Sequence, residues 1–219
     1  MSRRSRASGE AVRSQTRVLA ERAEDVARGL RAAVPAPETP VGRPALVLLM
    51  GFPGVGKSHC ARLLAERLGA AHVASDHLRA QLFIAASYAR EENAAVFRLV
   101  DGLVETLLEE GHRVIVDATH LRAFQRASAV DVARRRGVPL ALVLVTSDES
   151  DVLARLAARA SARAPEDRSD ADRAVYEMMR ERGFEEPDDG YLTLRNGPDV
   201  ASEIERVASR LEASWRAAR

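Results

Sequence analysis

The sequence predicts an α/β fold: a three-layer α/β/α domain around a five-stranded parallel sheet, with an N-terminal helical extension. Three observations carry that expectation. From residue 44 on, short apolar runs alternate with longer segments of helical period, the pattern of successive βα units. The apolar runs read as strands covered on both faces, as in a parallel sheet. Before them, Pro35, Pro37, Pro40 and Pro44 exclude a helix and set residues 1–43 apart from 44–219.

The elements follow in order. Residues 10–33 have helical spacing, with Val12, Leu19, Val26 and Leu30 near one stripe and charges elsewhere. That stripe must pack on something, so the expected states are a monomer or a dimer through this helix. The strand candidates are ALVLLM (45–50), AAHVAS (70–75), RVIVDA (113–118), LALVLVT (140–146) and YLTL (191–194). Helices are expected over about 57–68, 77–86, 91–110, 122–136, 149–161, 170–182 and 199–216.

Composition narrows the function before any motif does. The 33 basic and 32 acidic residues leave a net charge of +1, which argues against an electrostatic grip on DNA or on a membrane surface. No apolar run approaches the roughly 20 residues of a membrane span. Aromatic residues are 4% of the chain and form no basic–aromatic surface for stacking bases, so nucleic acid is retained only as a candidate substrate. The single cysteine, Cys60, permits no internal disulfide, suits a reducing cytoplasm and reads as a small buried helix residue. His72, His112 and His120 lack metal-ligand spacing, so no zinc site is expected.

The chemistry enters at GFPGVGKS, residues 51–58. Gly51, Gly56, Lys57 and Ser58 fit G-x-x-x-x-G-K-[ST] between the first strand and an amphipathic helix. The backbone of Gly51, Phe52, Pro53, Gly54, Val55 and Gly56 can then curl around a phosphate. Its N–H groups and the helix N-terminus, through His59, would face the anion. Lys57 would reach the β- and γ-phosphates of ATP, and the Ser58 hydroxyl would bind Mg²⁺. Lys57 is the one lysine among 33 basic residues, and a compact, flexible ammonium fits inside such a loop where a planar guanidinium does not. A P-loop NTPase fold using ATP and Mg²⁺ follows.

Ligand groups gather at the carboxyl ends of strands in such sheets, so Asp76 in ASDHLR and Asp117 in RVIVDATHL should both face the loop. Asp117 follows three apolar residues, as a Walker-B-type acid does, and could hold Mg²⁺ or orient the acceptor. Asp76 could accept the proton of an attacking hydroxyl or could simply cap a helix. Arg79 lies three residues on and could project toward the same cleft.

LVLLMGFPGVGKS, ASDHLR and VIVDATHLRAFQR, in that order and spacing, resemble the P-loop kinases that include bacteriophage polynucleotide 5′-hydroxyl kinase, zeta-type toxins and chloramphenicol phosphotransferase. The resemblance spans roughly residues 45–196. It implies the strand order 2-3-1-4-5 and direct transfer of the γ-phosphate of ATP to a hydroxyl. It also implies Asp76 as general base, Arg79 on acceptor and phosphate groups, and Asp117 near the acceptor, with Thr119 beside it. Toxin members usually carry a second acid after the first, where this chain has His77.

Arg155, Arg159 and Arg163 recur at i, i+4, i+8 in DVLARLAARASARAPEDRSDADRAVYEMM, a stacking of like charges that an anion would relieve. A mobile lid of about residues 155–173 would supply those charges to a phosphate, with Pro165 and the acids after it, from Glu166, suggesting a hinge. In the resembling kinases the lid arginine on the transferred phosphate falls at Arg159. Arg155 is assigned to the nucleotide. The alternative for these arginines is a solvated face paired with Asp151 and Glu166. His120 could touch the acceptor, and LRNGPD after the last strand could lie beside adenine or be a plain loop. The expected function is a cytoplasmic ATP-dependent kinase for a hydroxyl acceptor, a small molecule or a nucleic-acid 5′-OH. The alternatives are a toxin acting on a nucleotide-sugar and a nucleotide-dependent switch.

Overall fold

The structure is a computed structural model and describes residues 23–40, 42–83, 89–162 and 173–217. Five strands form: β1 (Ala45–Met50), β2 (Ala70–Ala74), β3 (Arg113–Asp117), β4 (Leu140–Thr146) and β5 (Leu192–Arg195). They pair in parallel in the order β2-β3-β1-β4-β5. The helices are α1 (Ala23–Leu30), α2 (Lys57–Leu68), α3 (Ser75–Leu82), α4 (Arg90–Glu109), α5 (Ala123–Arg136), α6 (Glu149–Ala162), α7 (Arg173–Arg182) and α8 (Val200–Ala217).

β1 is buried along its whole length because it is central and covered on both sides. Its side chains alternate between two cores. Ala45, Val47 and Leu49 meet Leu64 and Leu68 of α2 and Val207 and Leu211 of α8. Leu46 and Leu48 meet Leu99 and Leu103 of α4 and Val132 of α5. The parallel register sets Leu49 and Ala74 opposite Asp117, Met50 opposite Leu144, and Thr146 opposite Arg195. The residues just beyond all five strands therefore share one edge of the sheet.

Two expectations are corrected. Helix α3 begins at Ser75, not near 77, so Asp76 lies in its first turn and not at the end of β2. The boundary near residue 43 also gives way. Ala27 and Val34 are buried in the same core as Leu46, with Val26, Leu30 and Ala36 packed against it. A Cβ added at Gly102 of α4 would stand 3.1 Å from the Ala27 Cβ, so the glycine is what admits α1 this closely. The Pro35 carbonyl accepts the His72 N–H at 3.2 Å, and Arg31 pairs with Glu110 at 2.6 Å. The apolar stripe of α4 needs a cover, and residues 26–36 provide it. Val12 and Leu19 lie outside the described residues.

Candidate active site

The chain leaves β1 at Met50, turns through residues 51–56 and enters α2 at Lys57. Gly51 donates its N–H to the Thr119 carbonyl at 3.0 Å, and a Cβ there would come within 2.7 Å of the Val145 carbonyl oxygen. Pro53, Gly54 and Val55 are buried, and Phe52 is half-buried with its ring edge-on to Tyr176 of α7, centroids 6.3 Å apart. Ser58 and His59 are exposed on the first turn of α2, where the Arg62 guanidinium lies 3.3 Å from the His59 Nδ1.

Lys57 folds back into the loop and donates Nζ to the Phe52 carbonyl at 3.0 Å. Burial lowers its pKa, the charges of Asp117 and Asp76 oppose that, and Arg159 adds to the lowering. One amine thus feels an acid from the end of β3, an acid from the first turn of α3 and a guanidinium from α6. These four charges balance, so the pull on a phosphate chain placed there comes from the loop's backbone N–H groups as well as from the Lys57 amine.

Asp117 is buried, and the Ser58 hydroxyl lies near enough to its carboxylate to help lower its pKa. His72 Nε2 faces its Oδ2 at 3.4 Å. Burial alone would raise the Asp117 pKa, but His72, Lys57 and Ser58 outweigh it and hold the carboxyl below the usual range. Ser58 and Asp117, the expected metal ligands, are therefore adjacent. Among the described residues no group of three or more His, Cys, Asp or Glu side chains is arranged as a metal site. That donor set suits Mg²⁺, which takes one or two protein oxygens and completes its shell with phosphate oxygens and water.

The remaining expected residues divide into two groups. Asp76 is half-buried in the first turn of α3, whose N-cap position is held by Ala74, and it lies within electrostatic reach of Lys57. Arg155 donates Nη1 to the Gly54 carbonyl at 3.3 Å and to the Ser147 hydroxyl at 3.0 Å, and Arg159 is half-buried within electrostatic reach of Lys57. The Arg155 pairing with Asp151 is loose, at 3.9 Å. Arg163, Pro165 and Glu166 lie outside the described residues. Arg79 is buried and turned into the fold, ion-paired with fully buried Glu92 and bonded to Asn93 Oδ1 at 2.7 Å.

His120 does not open toward an acceptor. It sits buried at φ +45°, with Nδ1 donating to the Leu49 carbonyl at 2.9 Å, and burial pushes its pKa down to about 4. Burial pushes the Cys60 thiol up to about 12, as fits a packed, inert residue. Sequence reading missed Glu92, whose neighbours Glu91 and Asn93 are equally polar, and His72, set aside because only metal spacing was sought. It placed Asn196 in a segment read as lying beside adenine or as a plain loop, and that residue is buried against the P-loop.

Fold and site together define a P-loop NTPase-type domain of the three-layer α/β/α type. The chain belongs to the AAA domain family, whose model matches residues 46–187. No curated protein matches the chain. Among solved structures it is similar to the Mycobacterium tuberculosis APS kinase CysC in complex with AMPPNP and APS. That match has 23% identity and a TM-score of 0.60 over 78% of this chain and 99% of that one. Chaetomium thermophilum Kti12 in complex with ADP-AlF3 matches at 20% identity and a TM-score of 0.63, over 78% of this chain and 98% of that one. A gluconokinase from Sinorhizobium meliloti 1021 matches at 17% identity and a TM-score of 0.54, over 79% and 99%. At these identities the likeness concerns the fold. Among the described residues no helix is long and apolar enough to cross a membrane.

Proposed function

We propose that this protein is an ATP-dependent kinase that transfers the γ-phosphate directly to a hydroxyl group, as the resemblance to the polynucleotide kinase and chloramphenicol phosphotransferase group implies. The observation that carries the reading is that the P-loop amine of Lys57 lies within electrostatic reach of two acids, Asp117 and Asp76, and of Arg159. A nucleotide switch has no need of an acceptor base, and Asp76, in the first turn of α3, lies within electrostatic reach of Lys57. The toxin reading is the weaker one, because His77 stands where toxins carry a second acid, and its ring lies 2.9 Å from the Gln81 amide.

In the proposed step the acceptor oxygen bonds to the γ-phosphorus, the bond from that phosphorus to the β,γ-bridging oxygen breaks, and ADP leaves. The hydroxyl proton passes to the Asp76 carboxylate. Lys57 and Arg159 stabilise charge on the transferred group, worth most where water is excluded. Bound at Ser58 and Asp117, Mg²⁺ would neutralise charge on the β- and γ-phosphate oxygens.

The test is a panel of hydroxyl acceptors with γ-labelled ATP: sugars, aminoglycosides, nucleosides, nucleotide-sugars and 5′-OH oligonucleotides. One class is expected to take up label. Lys57→Ala should abolish that transfer without unfolding the protein. Asp76→Asn should lower it by about 10²–10⁴-fold while ATP affinity changes little. Label released only to water, at a rate Asp76→Asn leaves unchanged, would refute the kinase and favour the switch.

A further inference from the structure

We infer that Asn196 is a positioning residue of the nucleotide site: it holds the Val55–Gly56 peptide in its phosphate-binding orientation from the far edge of the sheet. The inference rests on the P-loop reading above and extends it to a residue outside the motif. Asn196 follows β5, is 7% exposed, and donates Nδ2 to the Val55 carbonyl at 2.8 Å. Val55 O can only accept, so the amide atom facing it is the nitrogen.

Asn196 is itself tied down. Its N–H bonds to the Thr146 carbonyl at 2.7 Å, extending the pairing of β4 with β5, and its carbonyl accepts the Ser147 hydroxyl at 2.8 Å. The same Ser147 oxygen lies 3.0 Å from Arg155 Nη1, which also donates to the Gly54 carbonyl. Two consecutive peptide carbonyls of the loop, those of Gly54 and Val55, are thus held from outside by Arg155 and Asn196.

The consequence follows from peptide geometry. In a planar trans peptide the carbonyl and the N–H point in opposite directions. Anchoring the Val55 carbonyl on Asn196 therefore turns the Gly56 N–H away from Asn196, to the side where an anion can be met. Steric fit gives an independent sign of the same contact: Gly56 has φ +90°, and a Cβ built on it would fall on the Asn196 amide nitrogen. The glycine at this motif position thus leaves room for the asparagine as well as adopting the left-handed backbone.

The test separates action through the loop from contact with the base. Dissociation constants for Mg–ATP and for inorganic tripolyphosphate are measured on wild type, Asn196→Ala and the isosteric Asn196→Asp, with thermal unfolding beside each. Loss of one neutral hydrogen bond should weaken both ligands by the same factor in Asn196→Ala, about five- to tenfold, and the aspartate should weaken both further. Weaker ATP binding with unchanged tripolyphosphate binding would overturn the inference, because it would make Asn196 a base contact. Unchanged binding of both would overturn it as well. Should the Asn196 variants not fold, Ser147→Ala, which keeps the asparagine but frees its carbonyl, must still weaken both ligands. Wild type that binds neither ligand would defeat the P-loop reading itself, a failure distinct from the others.

Discussion

Acidification from pH 7 to 4.5 should act on a buried group, His120, and a half-buried one, Asp101, in opposite directions, and single substitutions should expose each. His120 titrates near 6.5 when unfolded and about 4 in the fold, because burial disfavours its charged form. A depressed folded value means that its contribution is intact above about pH 6.5 and is lost as pH falls toward 4. Asp101 of α4 behaves oppositely. Burial raises it from 3.8 to about 6, against a hydrogen bond from Ser128 and with help from Glu105. Its contribution is present below pH 3.8 and is lost as pH rises through 6. At about 1.4 kcal/mol per tenfold, each amounts to roughly 2–3 kcal/mol by pH 4.5. In the wild type the two largely offset. His120→Asn keeps an amide donor for Leu49 and tolerates the left-handed backbone, so relative to wild type it should gain about 2–3 kcal/mol on acidification. Asp101→Asn should lose about 2 kcal/mol over the same range. Urea unfolding at both pH values, followed by the single tryptophan, Trp215, checks this. Parallel pH dependences in all three proteins would refute the burial argument.

Two further outcomes are expected. Arg79→Ala should cost about 3–5 kcal/mol of stability in urea unfolding, because it leaves the Glu92 carboxylate buried without its guanidinium, whereas a change under 1 kcal/mol would show that the pair is not desolvated. A chain starting at Arg43 should lose at least about 3 kcal/mol or become insoluble, since Val34, Leu30 and Ala27 no longer cover α4, and an unchanged urea midpoint would show that this layer carries no stability.

Much of the fold was legible because its signals are local. A run such as ALVLLM reports its own burial, a helical stripe reports its own period, and the motif at 51–58 packs its whole chemistry into eight consecutive residues. Asp117 could be placed for the same reason, at the end of an apolar run. The strand order came from resemblance, since no stretch of sequence states which strands are neighbours.

The features that only the tertiary structure decided are pairings between distant segments. Asn196 reaches Val55 across 141 positions because β4 inserts between β1 and β5, and a lone asparagine after a strand gives no sign of that. Arg79 looked like an open cation three residues beyond an acid. It is buried because α4 brings Glu92 over it, and an unpaired guanidinium there would be costly. The prolines at 35–44 read correctly as non-helical, yet chain direction is local information and docking is not. Residues 26–36 lie on α4 because its apolar face needs covering, a requirement set by the assembled layer and not by either segment alone.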